Sequence, residues 1–290
     1  MANAGSVGRP TGGQSPDVLG YHGRRCVVTG AASGMGEATA RILIDLGAEV
    51  HAVDIREPAY KGLASFSPTD LKHVDQIHAT AKRIGGVVDN LFNCAGLPND
   101  FAPLDVMLVN WCGWRAFTEA VLPNMVEGGA IAGIASVAGM AWQGNQEVLG
   151  ALLAEAGFDA AKAWCESHPT EIANAYGLSK EAINFYTARE SIPLIQQRGI
   201  RINCLNPGPT DTPMMPHFED ANGRDFMQNF PKPIGRNSTP DEQAWPLVFL
   251  GSPRASYITG ISLFADGGFT AALFTGQVDF ARLMPPGFGA

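Results

Sequence analysis

The stretch from Arg25 to Asp54 constrains this chain more than any other. Cys26-Val27-Val28 is a short β-prone run that breaks at Thr29-Gly30. A helical period follows, with Ala38, Ala40, Ile42, Leu43 and Leu46 as its apolar positions, and it ends at Gly47. Glu49-Val50-His51-Ala52-Val53 then reads as a second strand that closes on Asp54. Strand, glycine turn, helix and strand with no break between them form a βαβ unit.

The alternation continues along the chain. Val87–Asn93, Ala130–Ala135, Ile200–Asn206 and Ile261–Asp266 are further apolar runs of strand length, with helical segments between them. Runs of this kind belong to a parallel sheet covered on both faces. There is no internal repeat and no linker after residue 20. The expectation is one α/β domain over residues 21–290, a doubly wound parallel sheet of seven strands. Residues 1–20 are rich in Gly, Ser and Pro with no apolar period, and are expected to form a flexible leader.

Composition narrows the function classes. The 290 residues are 46% apolar, enough to build a sizeable core. The net charge is −8, from 28 acidic and 20 basic residues with no dense basic patch, which excludes a nucleic-acid binder. The longest uncharged stretch, Gly128–Gln146, is too rich in Gly, Ser, Gln and Asn for a membrane span, and the N-terminus lacks a secretory signal. Cys26, Cys94, Cys112, Cys165 and Cys204 are far apart, with no CxxC or metal-ligand spacing. Reduced thiols, no metal and a cytoplasmic location are expected.

The turn Thr29-Gly30-Ala31-Ala32-Ser33-Gly34-Met35-Gly36 sits where the first strand meets the first helix. Glycines there give a tight reversal, close approach of backbone to a pyrophosphate and close helix–strand packing. The helix N-terminus then offers free N–H groups to the anion. Asp54, 24 residues after Gly30, ends the second strand. A carboxylate there accepts both ribose hydroxyls of an adenosine and repels a 2′-phosphate. The turn itself has no Lys or Arg, although Arg56 lies near. NAD is expected rather than NADP.

The spacing TGxxxGxG resembles the short-chain dehydrogenase/reductase family. Further matches follow in that family's order: Asp70-Leu71, Asn93-Cys94-Ala95-Gly96, Asn110, Ser136, Tyr176-Gly177-Leu178-Ser179-Lys180, Asn206-Pro207-Gly208, Thr212, Thr259-Gly260 and Asp266-Gly267-Gly268. The resemblance spans about Arg25 to Thr270 and implies a Rossmann-type fold. The ordered set is specific where each motif alone is weak. It assigns the cofactor site to Gly30, Ser33, Gly34, Met35, Gly36, Asp54, Asp70, Leu71, Asn93, Ala95, Gly96, Tyr176, Lys180, Pro207, Gly208, Thr210 and Thr212.

Tyr176 and Lys180 are four apart, so on a helix both project from one face. A tyrosine is a poor base near neutral pH, and an adjacent ammonium lowers its pKa. The resemblance implies that Tyr176 is the general acid/base and that Ser136 holds the substrate oxygen. It implies that Lys180 depresses the tyrosine pKa and binds the nicotinamide ribose, and that Asn110 anchors a water on a proton path to Lys180. Thr212 would hold the carboxamide.

Ser136 and Tyr176 are 40 residues apart, more than the family norm. The extra part, about 143–172, holds two short helical runs, Ala151-Leu152-Leu153-Ala154 and Ala160-Ala161-Lys162-Ala163-Trp164. Together with the short spacings from Asp54 to Asn93 and from Gly96 to Asn110, this resembles the bacterial 3α-hydroxysteroid dehydrogenase/carbonyl reductases. The insert is expected to cover the helix face most members use for dimer contact, so a homo-oligomer, dimer or tetramer, would use another surface. Residues 211–233, with Met214, Met215, Phe218, Phe226, Met227 and Phe230, read as a mobile lid over a bulky apolar substrate. Phe274, Phe280, Leu283 and Met284 of the C-terminal stretch join the lid or a partner. The expected activity is NAD-dependent interconversion of a secondary alcohol and a ketone, on a steroid-like or other alicyclic or aromatic skeleton. A terpenoid or aryl-alcohol dehydrogenase is the rival. An idle NAD-binding sensor or scaffold is the rival of another class.

Overall fold

In the computed structural model, which describes residues 17–279, β1 (Arg25–Thr29) leads into α1 (Gly34–Asp45) and returns through β2 (Glu49–Asp54). β3 (Ser65–Pro68), α2 (Val74–Ile84) and β4 (Val88–Asn93) follow. α3 (Pro103–Met107), a π-helical turn over Leu108–Gly113 and α4 (Trp114–Val121) then form one run. Next come β5 (Met125–Ile134), α5 (Gln146–Ala154), α6 (Gly157–Ser167) and the long α7 (Ala175–Arg198). The chain closes with β6 (Arg201–Pro207), α8 (Met215–Asn222), α9 (Arg224–Asn229), α10 (Pro240–Gly251), β7 (Ser262–Ala265) and α11 (Phe269–Phe274).

All seven strands are parallel, in the order β3-β2-β1-β4-β5-β6-β7. The expected doubly wound sheet is present, and the order reverses direction between β1 and β4. In open α/β sheets that reversal leaves a crevice at the carboxyl ends of the strands. Six of the strands match the apolar runs of the sequence. β3 has no such run: Ser65-Phe66-Ser67-Pro68 is a four-residue edge strand with only Ser67 buried. Its pairing with β2, from His51↔Ser65 to Asp54↔Pro68, defines it.

Alternate side chains of the strands feed two cores. Cys26 and Val28 pack under α1 and α10, while Val27 points to the opposite face under α2, α4 and α7. The second core also takes in the insert. Leu149, Leu152, Leu153, Phe158, Ala161, Trp164 and Cys165 of α5 and α6 are buried against the α3–α4 run and α7. As a result α7 buries residues on every side, which an exposed helix does not do.

Of the expected leader, only residues 17–20 are described. Asp17 accepts from the N–H groups of Gly20, Tyr21 and His22, and the buried Tyr21 hydroxyl donates to Val248 O at 2.6 Å. Residues 1–16, and Phe280, Leu283 and Met284 of the C-terminal stretch, lie outside the described residues. Among the described residues no helix is long and apolar enough to cross a membrane.

Candidate active site

A cleft of about 510 Å³ opens along the carboxyl ends of β1, β2 and β4. Its wall at the glycine turn is Thr29, Gly30, Ser33, Gly34, Met35 and Gly36. A Cβ on Gly36 would stand 2.1 Å from Gly30 O, so glycine is what lets α1 start this close to β1. Gly34 has φ +56°, a conformation that side-chain-bearing residues rarely adopt. Ser33 occupies the N-cap of α1, yet its side chain makes no capping bond. The first N–H groups of the helix therefore meet the cleft without a protein cap, a fit for a phosphate group.

Asp54 lines the far end of the cleft beside Ile55 and Arg56. Its Oδ2 accepts from Ala32 N–H at 2.9 Å and its Oδ1 from Arg56 N–H at 3.0 Å. Both oxygens are thereby held in place with lone pairs to spare. Asp70, Leu71, Ala95, Gly96 and Thr212 also line the cleft, as the motifs imply.

Six assigned cofactor residues do not line this cleft: Tyr176 and Lys180, described below, and four others. Asn93 is buried below the cleft, where its Nδ2 donates to Thr118 Oγ1 at 2.8 Å. Pro207 is buried at the end of β6. Gly208 packs on Asp266, where an added Cβ would meet Asp266 Cα at 2.9 Å, and it lines a second cavity away from this one. The Thr210 hydroxyl shares a hydrogen bond with Ser238 and donates to Gly208 O. The tight turn after β6, tied to residue 238, aims this segment toward β7. Only Thr212 is delivered to the cleft, where it stands across from Gly34: a Cβ on Gly34 would come within 3.4 Å of it.

The reacting end is built on α7 and β5. Asn174 caps α7 by accepting from Gly177 N–H at 3.1 Å. A Cβ at Gly177 would stand 2.4 Å from Asn174 Nδ2, so a side chain after Tyr176 would displace the cap. Tyr176 and Lys180 lie one turn apart, with Lys180 Nζ 5.5 Å from the Tyr176 ring centroid and donating to Ile134 O at 3.1 Å. The Ser136 hydroxyl, just past β5, lies near enough to Tyr176 to favour its ionised form, and it accepts from Ala138 N–H at 3.1 Å. Asn110 sits in the π-helical turn. Its Oδ1 accepts from Leu97 N–H at 2.7 Å and its Nδ2 donates to Leu97 O at 2.9 Å. Gly96 joins the two ends: a Cβ there would be 3.4 Å from Asn110 Oδ1 and 3.6 Å from Lys180 Nζ.

Burial pushes the Tyr176 phenol up to about 12, against a smaller lowering from the Ser136 hydroxyl. Burial also pushes the Lys180 ammonium down to about 8. The depression expected from Lys180 is absent: removal of the phenolate from water dominates, and the one opposing effect comes from Ser136. A phenol that stays protonated near neutral pH is a proton donor for a carbonyl oxygen.

Two supporting residues were not singled out from sequence. Thr29 Oγ1 accepts from Cys94 N–H and Ala95 N–H at 3.1 and 3.2 Å, which ties the ends of β1 and β4. Asn184 exchanges hydrogen bonds with Asn206 at 3.0 and 3.1 Å and donates to Gly139 O at 2.9 Å. Asn206 in turn accepts from Ser136 N–H at 3.2 Å. The signal for Asn184 was its spacing, since Tyr176, Lys180 and Asn184 repeat every four residues on one helix face.

Residues 24–151 match the family described as short chain dehydrogenase, and residues 164–270 match that described as enoyl-(acyl carrier protein) reductase. The chain is 32% identical over 248 residues to the coniferyl-alcohol dehydrogenase of Pseudomonas sp. (strain HR199 / DSM 7063), covering 86% of this chain and 97% of that protein. It is 32% identical over 253 residues to the 3-alpha-hydroxysteroid dehydrogenase/carbonyl reductase of Comamonas testosteroni, covering 85% and 96%. Among solved structures, the 3-alpha-hydroxysteroid dehydrogenase of Pseudomonas sp. B-0831 complexed with NADH superposes with a TM-score of 0.73. It is 28% identical and covers 88% of this chain and 100% of that one.

Proposed function

Because the chain belongs to the short-chain dehydrogenase/reductase family, oxidoreductases acting on CH–OH groups, we propose that it interconverts a secondary alcohol and a ketone with NAD. The substrate is bulky and apolar, alicyclic or aromatic, with a steroid-like skeleton as the first choice. One observation carries the reading. Ser136, Tyr176 and Lys180 come together directly behind Gly96, which lines the same cleft as Asp54.

A nicotinamide cofactor, when bound, accepts or supplies the hydride. The chain's own work is positioning and proton transfer. Ser136 holds the substrate oxygen and Tyr176 exchanges its proton. Lys180 carries the compensating charge, with Asn110 anchoring the proton path beyond it. Preference for NAD is supported by the Asp54 carboxylate, oriented by two backbone N–H groups, where a 2′-phosphate would meet negative charge.

An aryl-alcohol substrate is the second reading. The edge-on contact of Phe218 with Tyr176 and the likeness to coniferyl-alcohol dehydrogenase favour it. An idle NAD-binding sensor is the rival of another class, and the complete set Asn110, Ser136, Tyr176 and Lys180 speaks against it. The protein is further proposed to self-associate through a surface other than α7, since α5 packs on that helix and α6 on the neighbouring α3–α4 run.

The test is formation of NADH over a panel of steroid, terpenoid and aryl secondary alcohols, with NADP⁺ run in parallel. Turnover with NAD⁺ at about tenfold or more the NADP⁺ efficiency is expected, and Asp54→Ala should narrow that gap. A preference for NADP⁺ overturns the Asp54 argument. Binding of NADH with no turnover across the panel returns the sensor reading.

A further inference from the structure

At the edge of the cleft, His217 of α8 pairs with Asp100 of the loop after β4, with Nδ1 2.7 Å from Oδ2. Phe101 lies beside the same ring, with centroids 6.1 Å apart. Asn99 and Asn222 add a second link between that loop and α8, at 3.0 Å. One residue along α8, Phe218 meets the Tyr176 ring edge-on at 5.1 Å between centroids. The imidazole is thus fixed by one nitrogen, on the element that also touches the catalytic ring.

A carboxylate on Nδ1 leaves Nε2 as the uncommitted nitrogen, and among the described residues Nε2 has no hydrogen bond. His217 lines the cleft together with Phe101, Val109 and Met214, which are apolar. An apolar slot with one fixed polar point sets the direction in which a ligand lies. The mechanism uses neither His217 nor Asp100.

We propose that His217, backed by Asp100, binds a second hydroxyl of the substrate, carried on its apolar skeleton at the end away from the carbinol. The inference rests on the alcohol–ketone reading above and narrows it to alcohols with a distal hydroxyl or phenol. A hydroxyl suits the site because it gives or takes a hydrogen bond, whichever tautomer the ring adopts. A carboxylate is the poorer fit, because Asp100 already stands behind the ring, while Asp105 in the same cleft is offset by Lys72 at 3.5 Å.

The test compares a secondary benzylic alcohol with its para-hydroxy and para-carboxy analogues. Wild-type protein should favour the para-hydroxy compound over the parent by about tenfold in kcat/KM, the value of one net hydrogen bond, and should disfavour the para-carboxy compound. His217→Phe should bring the hydroxy-to-parent ratio toward one. His217→Gln, which keeps a polar end, should retain part of the preference. Asp100→Asn should reduce it and raise the standing of the carboxy compound. Equal losses on all three alcohols, together with a raised KM for NAD⁺, would overturn the proposal, since a cofactor or packing role acts that way. So would a wild-type ratio near one. The same ratio is read as Kd by competition on the protein–NADH complex. Absence of turnover with all three then counts against the alcohol–ketone reading, while binding still decides the His217 contact.

Discussion

The catalytic helix and the lid touch at one pair of rings, Tyr176 and Phe218, and they are held by different forces. α7 buries Leu178, Ser179, Lys180, Ala182, Ile183, Asn184, Tyr186 and Thr187, with sheet on one side and insert on the other. α8 and α9 bury no residue at all. The groups that handle the proton are therefore fixed by packing and by a closed hydrogen-bond network through Asn184, Asn206 and Ser136. α8 is held by partly exposed pairs, Asp100–His217 and Asn99–Asn222, and the end of the lid by Phe230 against Phe269 at 4.6 Å. Exposed pairs contribute about 1 kcal/mol or less each, which supports the proposal that this segment is a lid that opens for exchange of cofactor and substrate. In the proposed function, a rigid acid/base under a loosely held roof would separate the chemistry, which must not move, from the choice of substrate.

Tyr176→Phe strikes the rigid side hardest. It keeps the ring that Phe218 packs on and removes only the hydroxyl. Turnover should fall about a thousandfold while NADH still binds, read by steady-state rates and by cofactor fluorescence. Retained turnover would mean that the proton comes from somewhere other than α7.

Lys180→Met tests the burial itself. The folded Lys180 has a pKa near 8, below its ordinary 10.5. Between these values the unfolded chain binds a proton that the folded chain does not, so stability rises with pH across that window. The shift corresponds to about 3 kcal/mol at most. Cys26, Cys94 and Cys204, whose thiols burial pushes up, oppose it above about 9, and Tyr176 opposes it between about 10 and about 12. Urea unfolding from about pH 7 to about pH 9 should show the rise in the wild type and lose it in the variant. An identical slope in both would place the lysine in contact with water.

Asn184→Ala leaves Asn206 and the Gly139 carbonyl without their partners. It should cost about 2 kcal/mol in urea unfolding and lower turnover about tenfold through Ser136. Stability lost without turnover would show that Ser136 does not depend on this network. On the lid side, Asn222→Ala should move the urea midpoint by less than about 0.5 kcal/mol. Amides of α8 and α9 should exchange with solvent well ahead of those of α7. A loss above about 1 kcal/mol would make the lid as integral as the helix beneath it.

Much of the catalytic side was legible in the sequence. Tyr176 and Lys180 are linked by helical period alone, and Gly30, Gly34 and Gly36 mark a turn that only glycine allows. Asp54 ends a strand whose beginning and length are plain from its apolar run. Other residues carried no such mark. Asn93 and Thr210 belong to motifs in the chain, yet their side chains turn to Thr118 and Ser238, partners 25 and 28 residues away. The pKa direction of Tyr176 was also hidden. Spacing shows a lysine nearby, whereas burial depends on every element packed around the ring. His217 and Asp100 are 117 residues apart, and no local pattern joins them.

Local rules, period and turn chemistry, were enough to determine the alternating strands and helices, the phosphate-binding turn and the two residues that share a face of α7. These features depend on neighbours within a few positions. The seating of α5 on α7 and of α6 on the α3–α4 run, the diversion of Gly208 and Thr210 toward β7 and the meeting of His217 with Asp100 were decided only by the tertiary structure. Each of them is a contact between distant segments, whose geometry exists only once the sheet has brought their ends together.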